Sequence, residues 1–116
     1  MNDCIFCKII NNEIPATKLF EDEDVLVIKD IHPVAPVHVL IIPKVHFASL
    51  VEAKDEHQEL LGKLLITAKK MGEKLGVSQT GYKIVINNKE DAGQVVFHLH
   101  VHLIGGWNKK AEGYKI

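Results

Sequence analysis

Residues 97–103 read Phe97-His98-Leu99-His100-Val101-His102-Leu103, three histidines separated by single apolar residues. In a β-strand successive side chains point to opposite faces, so the spacing predicts His98, His100 and His102 on one face. Phe97, Leu99, Val101 and Leu103 then share the other face, which reads as core. Three of the seven histidines of the chain fall in this run, a clustering that composition does not account for. A half-exposed strand that is merely rich in histidine is the plainest reading. A three-histidine metal centre is the second, since imidazole is the commonest metal ligand. Side chains two apart on a strand lie about 6.5–7 Å apart, so the outer pair is separated by roughly 13 Å and does not converge easily on one ion. The third reading keeps the imidazoles apart as nucleophile, phosphate ligand and proton carrier. Histidine suits those tasks because both of its protonation states are accessible near neutrality.

The strand sits in a chain of 116 residues, 47% hydrophobic and 25% charged, the composition of one globular domain over 1–116. The formal net charge of −1 argues against a broad nucleic-acid-binding surface, because such surfaces are usually basic. A small nucleotide needs only local donors and stays open. No run of about 18 apolar residues occurs, so no membrane-spanning helix is expected. The polar start Met1-Asn2-Asp3 is not expected to be a signal peptide, and the expected compartment is the cytoplasm.

Upstream, Asp3 is placed to cap a short helix from Cys4 to Ile10 with Ile5, Phe6, Ile9 and Ile10 on its apolar side. Thr17 to Glu21 reads as a short strand, and Glu21-Asp22-Glu23-Asp24 as a solvated acidic turn. Val25 to Asp30 and Val37 to Ile42 read as neighbouring strands around a loop stiffened by Pro33 and Pro36. Ser49 with Glu52 suggests a capping box on a brief turn, and Asp55 with Gln58 opens the long helix. Leu61, Leu64, Leu65, Ala68, Met71 and Leu75 give that helix one apolar face, and Gly76 closes it. Gly62 and Gly72 suggest close packing against another element. Tyr82 to Asn87 is a strand, Asn88 to Gly93 a polar loop, and Val95 to Ile104 the histidine strand. The tail from Trp107 to Ile116 has no clear period. One long helix between strand pairs, with a short helix before them, predicts an α+β fold on an antiparallel sheet.

Cys4 and Cys7 form one Cys-x-x-Cys, which in a reducing compartment is a metal half-site, a redox pair or two buried thiols. The redox reading wants the motif at the end of a strand, and nothing before Cys4 supplies one.

The run His98-Leu-His100-Val-His102-Leu-Ile resembles the signature of the histidine-triad (HIT) family. Asp30-Ile31-His32-Pro33 through Pro43-Lys44 resembles that family's nucleoside pocket, Asn87 through Gly93-Gln94 its phosphate loop, and Gly105-Gly106 its Hint branch. The resemblance covers nearly the whole chain. It implies a HIT-like fold and a hydrolase that binds purine nucleotides and cleaves nucleoside phosphoramidates, or related phosphoryl bonds, through a covalent nucleotidyl-histidine. His100 matches the nucleophile, His98 and His102 its flanking catalytic imidazoles, and His102 is the candidate proton donor. Asp30 and Ile31 are implied in nucleoside binding, and Asn87, Gly93 and Gln94, with His100 and His102, in phosphate binding. Val95 departs from the Hint pattern, which commonly has a hydroxyl there to help the leaving group. Two further readings are a dinucleoside polyphosphate hydrolase and a nucleotide-binding or interaction protein with vestigial catalysis. Some bacterial-type HIT proteins with this Cys-x-x-Cys complete a structural zinc shell with positions that match His46 and His98. Zinc on Cys4, Cys7, His46 and His98 is therefore expected, with buried cysteines as the rival. No cofactor is required for catalysis on this reading. The family resemblance also implies a homodimer, which would suit a small core; nucleic acid and membrane are not expected partners.

Overall fold

Two strands that are apolar almost without interruption form the middle of the molecule. β2 (Val25–Lys29) and β3 (Val37–Pro43) are buried along nearly all their length. A strand that is apolar at consecutive positions must be covered on both sides, and here helices lie on the two faces. The computed structural model describes residues 3–107. Within them β1 (Lys18–Glu21), β2, β3, β4 (Tyr82–Val85) and β5 (Val101–Gly105) form one sheet in the order β1-β2-β3-β5-β4. Every pairing is antiparallel.

One face of the sheet presents Val25, Val27, Val39, Ile41, Val101 and Leu103 to Leu64, Ala68 and Met71 of the long helix α2 (Gln58–Lys74). The other presents Leu26, Ile28, Leu40 and Ile42 to Phe6 and Ile9 of the short helix α1 (Ile5–Ile10). His102 lies directly opposite Leu40 in the ladder, so its side chain belongs to the α1 face. The α+β antiparallel fold expected from the sequence is present.

Several boundaries differ from the sequence reading. The histidine strand begins at Val101 instead of Val95, because its ladder with β3 ends at the pair Ile41↔Val101. Beyond it the Leu99 N–H turns to the Phe47 carbonyl at 2.9 Å, so His98 and His100 lie outside the regular strand. β2 stops at Lys29 and β4 at Val85, short of Asp30 and Asn87. The cap of α1 is Cys4, whose sulfur accepts the Cys7 N–H at 3.3 Å, and not Asp3. A 3-10 turn over Asp55–His57 precedes α2, which delays its start to Gln58. Ile5 and Leu65, both assigned to apolar helix faces by spacing, are exposed, while Thr67 takes a buried place on α2. The acidic turn is a tie: Asp22 accepts the N–H groups of Asp24 and Val25, and Lys63 of α2 pairs with both Asp22 and Asp24. The tail after Trp107, and Met1-Asn2, lie outside the described residues.

Two glycines explain how closely the elements approach. A Cβ on Gly72 of α2 would come within 2.7 Å of the Tyr82 ring, so the helix lies directly on β4. Gly62 meets nothing and has no such role. A Cβ on the buried Gly105 would meet the Gly81 carbonyl oxygen and the Tyr82 Cβ at 3.0 Å, and those are not the free ends of flexible side chains. Gly105→Ala is therefore expected to destabilise the fold by about 1–3 kcal/mol, the usual cost of overpacking. Urea unfolding monitored by circular dichroism checks this, and an unchanged midpoint would contradict it.

Candidate active site and metal cluster

Each of the three triad imidazoles has one nitrogen committed to a fixed partner, and that commitment sets the tautomer. His98 holds its Nε2 2.8 Å from the Pro43 carbonyl oxygen. A carbonyl only accepts, so Nε2 carries the proton and Nδ1 is bare. His100 holds its Nδ1 2.7 Å from the His98 carbonyl oxygen, so there the proton is on Nδ1 and the bare nitrogen is Nε2. His102 is set through a second histidine. The Val34 N–H donates to His38 Nδ1 at 3.1 Å, which leaves the His38 proton on Nε2. That Nε2 lies 2.9 Å from His102 Nδ1 and 3.2 Å from Asp30 Oδ2. His102 therefore accepts at Nδ1, and its own proton is on Nε2.

Burial keeps all three imidazoles neutral. It lowers the His98 pKa to about 4, with His46 and His100 adding to the effect. It lowers the His102 pKa to about 4 as well, with His100 and His38 as further causes. His100 is shifted down chiefly by the same desolvation. The His100 ring lies 4.9 Å from the His102 ring, and the Phe6 ring meets it edge-on at 5.0 Å. A bare imidazole nitrogen next to an imidazole N–H is a nucleophile paired with a hydrogen-bond donor.

His98 cannot share in that chemistry. It is 0% exposed, one nitrogen is held by Pro43, and the other faces a cluster of Cys4, Cys7 and His46. The expectation that it touches the phosphoryl group is corrected: its position is behind the site. His98 Nδ1 lies 3.3 Å from Cys4 Sγ, 3.6 Å from Cys7 Sγ and 3.0 Å from His46 Nδ1, and Cys7 Sγ lies 3.4 Å from His46 Nδ1. Ligands at zinc-like bond lengths around a tetrahedral centre stand about 3.3–3.8 Å apart. The cluster is close to that shape, and all four donor atoms lie within 4.8 Å of one another. The proton on His98 Nε2, donated to a carbonyl, is the outer-shell bond that metal-bound histidines commonly make. These four residues could hold a metal ion.

Asp30, His38 and His102 also bring three donor atoms within 4.8 Å. Their hydrogen bonding points elsewhere. The Val34 N–H forces the His38 proton onto the nitrogen that a cation would need, so this group is a proton chain. His38, which links His102 to Asp30, is the candidate site residue that motif reading overlooked. The available signal was a histidine inside the apolar strand Val37–Pro43, where a buried polar group requires partners.

The remaining residues expected in the site have separate situations. Asp30 follows β2, and its Oδ1 accepts the His32 N–H at 2.8 Å. Ile31 is 81% exposed. Asn87 is half-buried with no side-chain hydrogen bond among the described residues, whereas Asn88 accepts the Leu50 N–H at 2.9 Å. Gly93 has φ +86°, a left-handed turn that favours glycine. Gln94 is committed inside its loop: Oε1 accepts the Lys89 N–H at 2.6 Å, and Nε2 donates to the Ala48 and Val96 carbonyls at 2.5 and 3.0 Å. Its side chain shapes the loop and has no amide hydrogen left for a phosphate, which corrects its expected role. No hydrogen bond or ring contact joins Ile31, Asn87 or Gly93 to the imidazoles among the described residues.

Comparison with known proteins agrees with this geometry. The model of the HIT domain matches residues 11–109. Protein HitA of Neisseria gonorrhoeae is 49% identical over 105 residues, covering 90% of this chain and 97% of that protein. A 14 kDa zinc-binding protein of Brassica juncea is 48% identical over 106 residues, covering 90% and 93%. The solved structure of a HIT family hydrolase from Clostridium thermocellum superimposes with a TM-score of 0.93 at 47% identity, covering 100% of this chain and 98% of that one. With a family model spanning most of its length and relatives of this similarity, the chain belongs to the HIT domain family.

Proposed function

We propose that this protein is a hydrolase that binds purine nucleotides and cleaves nucleoside phosphoramidates through a covalent nucleotidyl intermediate on His100. The observation that carries the proposal is the bare Nε2 of His100, fixed by the bond from its Nδ1–H to the His98 carbonyl. Nε2 attacks phosphorus, the bond from phosphorus to the amine breaks, and its electron pair leaves with the amine, which must take a proton. His102 offers the proton on its Nε2, backed by His38 and Asp30. A bound phosphate brings negative charge beside these imidazoles and raises their proton affinity, so the His102–His38–Asp30 group takes up a proton from solvent when substrate binds, and it returns to its neutral state when His102 gives one to the amine. Water then attacks phosphorus and loses a proton to solvent, and the bond to His100 Nε2 breaks with its electron pair returning to the imidazole as the nucleoside monophosphate leaves. Asp30 is suited to a ribose hydroxyl pair, Ile31 to the nucleoside, and Asn87 and the turn at Gly93 to the phosphate.

Val95 favours a second reading. It is 83% exposed and has no hydroxyl to assist a departing amine, which suits a leaving group that departs unprotonated. A dinucleoside polyphosphate has such a group, and product analysis with both substrate classes separates the two.

Zinc on Cys4, Cys7, His46 and His98 is proposed as a structural ion, supported by the near-tetrahedral spacing and by the zinc-binding relative from Brassica juncea. When bound it supplies a cross-link between α1, the loop after β3 and the triad segment, with no part in the bond cleavage. Burial and the neighbouring Cys4 push the Cys7 thiol up to about 11, and coordination by a cation would reverse that. A reduced thiol pair suits the cytoplasm, and no described helix is long and apolar enough to cross a membrane. A homodimer is supported by β4 at the sheet edge, where Ile84, on the α2 side, and Leu65 and Ile66 of α2 are exposed.

Three outcomes are expected. His100→Gly removes turnover while nucleoside monophosphate binding stays within about tenfold, because a nucleophile acts on the transition state more than the ground state. Calorimetry beside a phosphoramidate assay checks this, and more than a few per cent of residual turnover would contradict it. The acid limb of kcat/KM should lie below about pH 6.5, the ordinary imidazole value. Protonation silences the nucleophile, and burial lowers the His100 pKa, so the loss of activity moves to lower pH. A limb at or above the ordinary value opposes the assignment. Light scattering at micromolar concentration should give twice the chain mass, and a monomer would end the dimer proposal.

A further inference from the structure

The peptide unit between His98 and Leu99 is held at both ends. Its carbonyl accepts the His100 Nδ1–H at 2.7 Å, and its N–H donates to the Phe47 carbonyl at 2.9 Å. It lies before β5, so no strand ladder holds it. Besides the packing of the buried Leu99 and Phe47 side chains, its orientation depends on two neighbours. The His98 ring on one side is held between Pro43 and the Cys4/Cys7/His46 cluster. On the other side Phe47, which supplies the carbonyl, directly follows the cluster residue His46. A third route ends on the same ring: Phe6, between Cys4 and Cys7 in sequence, packs edge-on against His98 at 5.9 Å and His100 at 5.0 Å.

We infer that the Cys4/Cys7/His46/His98 cluster governs the nucleophile, with His98 acting as a positioning residue that passes the cluster's occupancy to His100 through the His98–Leu99 peptide. With the cluster cross-linked, the His98 ring and the Phe47 carbonyl are fixed relative to each other, and the peptide between them has one orientation. His100 then keeps its proton on Nδ1 and its bare nitrogen towards substrate. When the cluster is open, the exposed His46 is free to leave, and the Phe47 backbone carbonyl loses its support on that side while the Phe47 side chain stays packed in the core. The peptide is then free to rotate, and His100 loses the acceptor that selects its tautomer. The metal therefore has a catalytic consequence without touching substrate. The consequence for turnover rests on the hydrolase reading above, while the structural link does not.

The test uses the reduced, untagged protein in three states: loaded with zinc, stripped by a chelator, and reloaded. His46→Ala is the second route to an open cluster, chosen because that side chain is exposed and its loss leaves both helix cores intact. Long-range nitrogen–proton spectra of the imidazoles read the His100 tautomer, and amide exchange reads the Leu99 N–H. Opening the cluster should add a second His100 tautomer, speed Leu99 exchange, and lower kcat about tenfold or more with little change in KM, the scale seen when support behind a reactive group is lost. Zinc should reverse all three in the wild type. A single unchanged tautomer and unchanged Leu99 protection, in protein shown by elemental analysis to be metal-free, would overturn the inference. So would wild-type protein that takes up no zinc. If no state hydrolyses a phosphoramidate, the hydrolase proposal fails, and the tautomer and exchange readings still decide this one.

Discussion

A hydrogen bond from a side chain to the backbone two residues earlier underlies the proposed reactive centre. His100 donates Nδ1–H to the His98 carbonyl, and the bond decides which nitrogen of the proposed nucleophile is bare. Imidazole tautomers differ little in intrinsic energy, so a single well-placed carbonyl is enough to select one. Burial does the complementary work. It removes the cationic form and leaves a neutral ring with a defined lone pair.

The same arrangement recurs on each flanking histidine, with a different result. Pro43 selects the tautomer of His98 so that its bare nitrogen faces the sulfurs. Val34 and His38 select that of His102 so that its proton faces away from their chain. Three histidines at regular spacing thus receive three chemistries from three backbone groups. Pro43 is suited to its part because, at the end of β3, its carbonyl lies beyond the last β3–β5 pair and is available to a side chain.

The two-sided burial of β2 and β3 places this chemistry at one edge of a rigid body. The α2 side is closed by apolar packing, whereas the α1 side contains His38 and His102 alongside its smaller core. A short helix buries little by itself, and α1 is only six residues long. Its attachment through Cys4 and Cys7 therefore bears on the triad segment as well as on the helix.

Sequence by itself determined the class of fold, the five strands and two helices, and the histidine motif, whereas the grouping of Cys4, Cys7, His46 and His98 followed only from the resemblance to the HIT family. Those features depend on local spacing, on turn residues such as Gly76, and on motifs whose members keep their order in the chain. Alternation on a strand also placed Leu99, Val101 and Leu103 in the core, but Phe97, assigned to the same face, is exposed because it lies four residues before the ladder begins. The exposure of Ile5 and Leu65, the early end of the β5 ladder, the commitment of Gln94 and the part of His38 were decided only in three dimensions. Each depends on which backbone donor or acceptor meets a side chain from a distant segment. Periodicity carries no information about that: it gives the direction a side chain leaves its own strand or helix, and the proton on an imidazole is fixed by what lies at the far end.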